Sequence, residues 1–397
     1  MKLKFFVYIL FLLLFSTHFF SQSHDQLLVV VLMVKDEASV IVDTLRPYVD
    51  GGITNFFIFD TGSTDNTLKR AHDYFESSGI THGYSAQEPF IDFATSRNRA
   101  LELAQEQFSD AVFILMPDAE WYMHNVEGLL DFCEVHRYDL CPSYLVRIVF
   151  PGNDFSTPRL IRGGLNIRFV GVVHEVLNHV TRIKVPRDIY FELGSSKGGM
   201  EKSAARWKRD FTLLLNEYEK NPADPRTVFY VAQTYECLGD LENAYKYYEE
   251  RSKMAGWDEE NYETFYRLGR VTALLAPYNS NFSWLQALEY YHTAYALRPH
   301  RAEPLVRIAE HYWPQNIPIC FTYIRRAIEL PYPERENLFV EKYTYDYARY
   351  EIMSKSAWYL GEYALGEMGT RAALKAYELP HLYQNLACYT DRKFAIK

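Results

Sequence analysis

The sequence predicts an α/β domain followed by an all-α helical-repeat domain, with the change falling at Ser195–Gly199. Three observations predict this. From Leu27 to about Ser196, apolar runs of strand length alternate with amphipathic runs of helix length, as in a parallel sheet with helices on its faces. Beyond Gly199 the strand signals disappear and Tyr, Ala and Glu rise in helical periodicity. Within that second stretch, small residues and tyrosines recur at the spacing of a 34-residue helix-turn-helix repeat.

Taken in order, Lys2 and Lys4 precede an apolar run from Phe5 to Phe20, closed by Ser21, Gln22 and Ser23. Residues 1–23 therefore read as a signal peptide or short signal anchor, with membrane association through this segment in the second case. The α/β domain is placed at residues 25–198. LLVVVLMV from Leu27 is a buried strand, ASVIVDTLRPYV a helix, and NFFIFD a second buried strand ending in the turn DTGSTDNT. Helix TLKRAHDYFESSG, strand ITHGYSA, helix SRNRALELAQEQF and strand AVFILM, ending in PDAE, follow. In such sheets ligands bind at the carboxyl ends of the strands, so polar residues there are the candidates for chemistry.

The repeat domain is placed at residues 203–390. Ala232, Tyr235, Gly239, Ala244 and Tyr248 make one copy, and Gly269, Ala287, Tyr291, Ala294 and Pro299 a second, with an insertion around Pro277–Ser283. Ala309, Tyr312 and Ala327 make a degenerate third. Small residues let paired helices approach while aromatics fill the gaps, and three or more units stack into a solenoid.

At 397 residues, 48% hydrophobic and 23% charged, the chain is a folded protein of two to three domains and neither disordered nor a multi-span membrane protein. The net charge of −9, with no concentrated basic run, excludes a nucleic-acid partner held by phosphate contacts. Five widely spaced cysteines without C-x-x-C indicate neither a disulfide framework nor a zinc cage, and are read as mostly buried thiols.

Asp60 closes the second strand. Ser63–Asp65 are explained as a turn and helix start, but a carboxylate at Asp60 is expected to face the crevice and hold a ribose or base edge. Asp118 and Glu120, one residue apart at the end of a later strand, can both reach one divalent cation that takes its other ligands from phosphates and water. His174 is a candidate third ligand, lying just after Arg159-Leu160-Ile161-Arg162. Arg97, with Asn98, opens a helix where an anion is favoured.

VKDEASVIVDTL, DTGSTDNT, DFATSRNRALELA, LMPDAEW and GVVHEVL, in that order, resemble the family 2 glycosyltransferases with the GT-A nucleotide-sugar-binding, Rossmann-like fold. The following YVAQTYECLGDLENAYKYYEERSKMAGWDEE with RPHRAEPL resembles the tetratricopeptide extension fused to one branch of that family. The resemblance implies inverting transfer of a sugar from a nucleoside-diphosphate sugar, in the first instance a UDP-sugar, assisted by Mn²⁺ or Mg²⁺. It implies that Asp118, Glu120 and His174 serve the metal, and that Lys35, Glu37, Asp60, Arg97, Asp118 and Arg162 surround the nucleotide sugar. Glu120 stands where the family has a second aspartate, and Pro117 precedes the pair. Glu175 is the candidate catalytic base, with Asp154 the fallback. A protein or glycan acceptor is expected, with the helical repeats as a candidate surface for reaching it. Such a donor implies the endoplasmic reticulum or Golgi lumen for an exported chain, with the sequon Asn281-Phe282-Ser283 compatible, or a cytosolic, membrane-tethered enzyme in a bacterium. The competing reading is a catalytically degenerate GT-A/tetratricopeptide protein acting as an interaction platform. A hydrolase or nucleotidyltransferase using the same carboxylates is less supported, because no second metal cluster or Gly-rich phosphate loop is visible.

Overall fold

The computed structural model describes residues 26–150, 153–194 and 199–395. The leader and residues 195–198 of the predicted boundary lie outside the described residues, and no described helix is long and apolar enough to cross a membrane. The chain divides into a unit ending at Ala204 and a second from Ala205 onward that also takes in Pro151–Phe155.

In the first unit, β1 (Leu28–Val34), β2 (Asn55–Asp60), β3 (His82–Gln87) and β4 (Phe113–Leu115) alternate with α1 (Ile41–Asp50), α2 (Thr67–Ser77) and α3 (Phe93–Gln107). After β4 come β5 (Trp121–His124), α4 (Val126–Val135), β6 (Ser143–Phe150), β7 (Asn153–Arg162), a small ladder of β8 (Phe169–Val170) with β9 (Val176–Leu177), and β10 (Tyr190–Leu193). The strands of the main sheet are ordered β3-β2-β1-β4-β7-β6-β10-β5. The expected parallel sheet is corrected to a mixed one: β7 runs antiparallel to β4, and β5 antiparallel to β10. The cause is local, since Arg162 N–H donates to Pro142 O (2.9 Å), so β7 returns along the β6 side instead of crossing over a helix.

β1 is buried on both faces, which is why it reads as an unbroken apolar run. Val30, Leu32, Phe56 and Ile58 pack towards α1 and α2, while Val29, Val31, Phe57 and Phe59 pack towards α3. Each such side chain contributes about 1.5–3 kcal/mol by leaving water. β2 and β3 extend the sheet on one side of β1 and β4 lies on the other, so the strand order reverses between β1 and β4. A crevice opens at the carboxyl ends of strands at such a reversal.

The second unit is a helical array. After α5 (Gly199–Lys220), α6 (Pro225–Cys237) pairs with α7 (Leu241–Ser252), α8 (Asp258–Leu275) with α9 (Trp284–Leu297), and α10 (Glu303–Tyr312) with α11 (Ile317–Glu329). A π-helical turn at Thr344–Ala348 leads into α12 (Arg349–Tyr359), which pairs with α13 (Tyr363–Ala376), and α14 (Pro380–Ala395) follows. The small residues singled out in the sequence sit between paired helices: Ala232, Ala244, Ala287, Ala294, Ala309 and Ala327 are buried. A fourth pair, α12 with α13, escaped the repeat spacing.

Gly269 shows why size matters here. A Cβ at this position would lie 2.7 Å from Tyr291 Cδ1, and the Tyr291 ring is buried between α8 and α9. Gly269→Leu is expected to destabilise the chain by about 1–3 kcal/mol through overpacking, read as a lowered urea midpoint with unchanged slope. The five cysteines are free, but only Cys133 and Cys320 are buried, so the expectation of mostly buried thiols is corrected.

Candidate functional site

The loops that follow β1 and β2 are bonded to each other. Asp36 N–H donates to Ser63 Oγ (2.8 Å), Glu37 N–H to Thr67 Oγ1 (2.7 Å) and Ala38 N–H to Asp65 Oδ2 (3.1 Å). In return Thr64 N–H donates to Asp36 Oδ1 (2.7 Å), and Thr61 N–H to Val34 O (2.9 Å). Positive φ at Asp36 (55°) and Gly62 (101°) lets both chains turn tightly enough to meet.

Asp60 belongs to this scaffold. Its Oδ1 accepts from Gly62 N–H (3.0 Å) and Ser63 N–H (2.8 Å), and its Oδ2 from Gln87 Nε2 (3.2 Å). The residue is buried, so the expectation that it faces the crevice to hold a ribose is corrected. A carboxylate that accepts consecutive N–H groups of its own turn stabilises the loop and has little left for a ligand.

The polar cluster with open chemistry lies at the end of β4. Asp92 caps α3 by accepting from Thr95 N–H (2.7 Å), and Arg97 lies one turn further on. Asn98 exchanges two bonds with the backbone of Phe169, Nδ2 to O (2.9 Å) and N–H to Oδ1 (2.8 Å), while Phe93 N–H donates to Val172 O (3.1 Å). The β8–β9 segment is thereby fixed on α3 and carries Glu175 to Arg97. Arg97 Nε donates to Glu175 Oε1 (2.6 Å) and its Nη2 to Asp118 Oδ1. Arg159 Nη2 reaches the same Glu175 oxygen (3.2 Å). Both guanidiniums lie over the Phe169 ring, each 5.7 Å from its centroid, and Arg159 is 5.2 Å from that of Trp121.

Arg97 is 3% exposed and Arg159 7%, yet Arg97 Nη1 and Arg159 Nε have no hydrogen-bond partner among the described residues. Asp118, by contrast, is 40% exposed along its side chain. Two buried cations thus face one buried and one rim carboxylate, with donor capacity left over. Burial lowers the Arg159 guanidinium, and the like charge of Arg97 lowers it further. Burial alone would lower Arg97 too, but Asp118 and Glu175 outweigh it and raise it. For Glu175, burial pushes the carboxyl up, while Arg97 and then Arg159 pull it below its ordinary 4.5. A buried carboxylate so stabilised as an anion is a poor proton acceptor, so the base role expected of Glu175 is corrected to that of a counter-ion holding two arginines. Asp154, the fallback, falls in the second unit.

Arg162 is corrected as well. It pairs with Phe113 at the start of β4, the far end from Asp118, and donates through Nη2 to Arg137 O. The site takes Arg159 instead, whose carbonyl accepts from Met116 N–H (2.9 Å). The two arginines are three positions apart on one strand, so they occupy opposite faces as well as different heights. The missed signal was the antiparallel register of β7 on β4.

His174 is exposed at the tip of the β8–β9 segment with φ 53°. No group of three or more His, Cys, Asp or Glu able to hold a metal occurs among the described residues, so the ligand set Asp118, Glu120 and His174 is not assembled. Asp118 and Glu120 flank the turn in which Trp121 N–H donates to Asp118 O (3.1 Å). The Tyr122 phenol is raised first by burial and then by the charges of Asp43, Glu120 and Glu37. Lys35 is exposed in the loop after β1.

No protein-family model matches the chain, and no curated protein matches it. Similar solved structures are helical-repeat proteins. The C-terminal part of a TPR repeat-containing protein from Cytophaga hutchinsonii is 14% identical over 48% of this chain and 69% of that one, with a TM-score of 0.36. A thermophilic TPR protein of Thermus thermophilus is 16% identical over 49% of this chain and 95% of that one (TM-score 0.32). PilF of Pseudomonas aeruginosa is 13% identical over 47% and 76% (TM-score 0.37).

Proposed function

We propose that the first unit transfers a glycosyl group from a nucleoside-diphosphate sugar to an acceptor selected with the help of a tetratricopeptide-type array in the second. The observation that carries this reading is the pair of buried arginines with unfilled donors, Arg97 Nη1 and Arg159 Nε, beside the half-exposed Asp118 where the strand order reverses. A buried cationic pair with spare N–H groups is suited to a diphosphate, which offers several acceptor oxygens and negative charge. The family resemblance of the surrounding motifs supplies the sugar.

A divalent cation of the Mn²⁺ or Mg²⁺ kind needs only one or two protein carboxylates when phosphates and water complete its shell, and Asp118 and Glu120 are the residues that would hold it. Bound there, it would supply Lewis-acid stabilisation of charge on the departing diphosphate. The chain's own residues do the rest. Glu175 fixes both guanidiniums, and Arg97 and Arg159 hold the diphosphate oxygens. Donors oriented before the reaction act where charge develops, without reorganising during it.

The test is nucleoside-diphosphate release by the full chain across a panel of nucleotide sugars, with Mn²⁺ and with EDTA. Metal-dependent release from one donor is expected, falling about 10²–10³-fold in Asp118→Ala, the size typical of losing one transition-state stabiliser. The absence of both release and donor binding by calorimetry would overturn the proposal. That outcome would favour the interaction-platform reading, for which one observation speaks: Arg97 already neutralises the Asp118 carboxylate.

A further inference from the structure

The helical unit carries a feature independent of the glycosyl-transfer reading. Between α11 and the π-helical turn, the chain runs without regular structure across α6, α8 and α10, the first helices of three successive pairs. It is held there by side chains that bind its backbone. Glu259 Oε2 accepts from two consecutive N–H groups, Asn337 (2.7 Å) and Leu338 (2.7 Å). Arg301 donates to two consecutive carbonyls, Leu338 O through Nη1 (3.3 Å) and Phe339 O through Nη2 (3.3 Å). Glu303 Oε1 accepts from Glu341 N–H (3.2 Å).

Side-chain anchors flank these backbone contacts. Phe339 packs beside the Phe229 ring (6.4 Å, near parallel), and the Arg267 guanidinium lies over both rings (4.9 and 5.9 Å). Leu338 and Val340 are buried on either side of it. Glu336 pairs with Arg298 (2.9 Å) and His300 (2.8 Å), and Glu341 with Arg307 (2.8 Å) and the Tyr266 hydroxyl (2.7 Å).

Paired recognition of N–H and C=O groups, an aromatic anchor and acidic residues at both ends is how a groove holds an extended peptide. Nothing in the backbone contacts depends on which side chains the segment carries, so they would serve another chain that takes the same bend at Leu338 and Phe339. Phe339 stays 36% exposed and holds φ at 47°, a conformation that costs a non-glycine residue energy and that seating in the groove must offset.

We propose that residues 335–341 are a tethered occupant of the face formed by α6, α8 and α10. A foreign segment of the same chemistry, an apolar-aromatic pair between acidic residues, reaches that face only by displacing it. The tether gives the resident a high effective concentration, so a free peptide competes poorly with the intact chain.

The probe is a fluorescently labelled synthetic peptide of residues 334–343, titrated by anisotropy against the full chain and a full-length variant with residues 335–341 replaced by a Gly/Ser stretch of equal length. The folded variant is expected to bind at least tenfold tighter than the native chain, with binding lost for a peptide carrying Ser in place of Leu338 and Phe339. Equal or absent binding in both, with the variant's helical signal intact, would overturn the proposal. Should the variant fail to fold, amide hydrogen exchange of the native chain decides. The Asn337 and Leu338 amides are expected to exchange at least tenfold faster than buried amides of α8, and faster again in Glu259→Gln. Exchange of those two amides only with the α8 core would make the segment part of the core and end the proposal.

Discussion

Replacing Arg97 by Met is expected to destabilise the chain by about 3–5 kcal/mol at pH 7, the cost of breaking a buried ion-pair network from one side. Arg97 bonds both Glu175 and Asp118. Without it, Glu175 remains buried with Arg159, at 3.2–3.3 Å in place of the 2.6 Å contact, while Asp118 turns to water at the rim. The loss also has a pH signature. The Glu175 pKa is depressed in the folded chain, so its contribution is complete above the ordinary 4.5 and is lost as pH falls through the lower folded value. Arg97 is the larger of its two attractions, so in the variant the folded value lies higher and the acid loss is smaller and complete at higher pH. Urea unfolding of both proteins from pH 7 to pH 3 checks this. A loss under about 1 kcal/mol with an unchanged acid limb would show that the cluster does not hold Glu175 as an anion.

The second large effect is expected at Arg301, which is 0% exposed and meets a fully buried partner, Glu303. Arg301 Nε donates to both Glu303 oxygens (3.0 and 3.1 Å), and its guanidinium lies 4.5 Å from the centroid of the Tyr262 ring. Arg301→Met strands the Glu303 carboxylate with neutral donors, the Tyr345 hydroxyl (2.8 Å), the Tyr262 hydroxyl (3.5 Å) and Glu341 N–H. A cost of about 3–5 kcal/mol is expected by urea unfolding. The double variant Arg301→Met, Glu303→Leu is expected to be more stable than Arg301→Met alone, because the stranded charge is removed. Additive losses would mean that the two residues act separately.

The alternation of strands and helices was legible because β1 and β2 are buried on both faces and announce themselves as apolar runs. The helix pairs were legible because a glycine or alanine under a tyrosine recurs at a fixed interval. What failed depends on long-range register. Arg159 and Arg162 are equivalent on paper, and only the pairing of Phe113 with Arg162 shows that the second lies at the wrong end of the strand. Asp60 misled for the opposite reason. Its partners are two and three residues away, and a local turn was credited to Ser63–Asp65 when the carboxylate of Asp60 also anchors it. The stripe Glu259, Glu263, Arg267 and Arg270 along α8 resembles a solvated helix face in sequence. In the folded chain the first three are buried, and Arg267 and Arg270 pair with Glu236 across to α6.

The reciprocal bonding of the loops after β1 and β2 bears on how this unit can change over generations. Surface loops ordinarily accept added or deleted residues. Here Asp36, Glu37 and Ala38 are matched one by one to Ser63, Thr67 and Asp65, so lengthening either loop alone breaks the whole ladder. Because the acceptors are the Ser63, Thr67 and Asp65 side chains, the two segments can change only together, in these residues as in length.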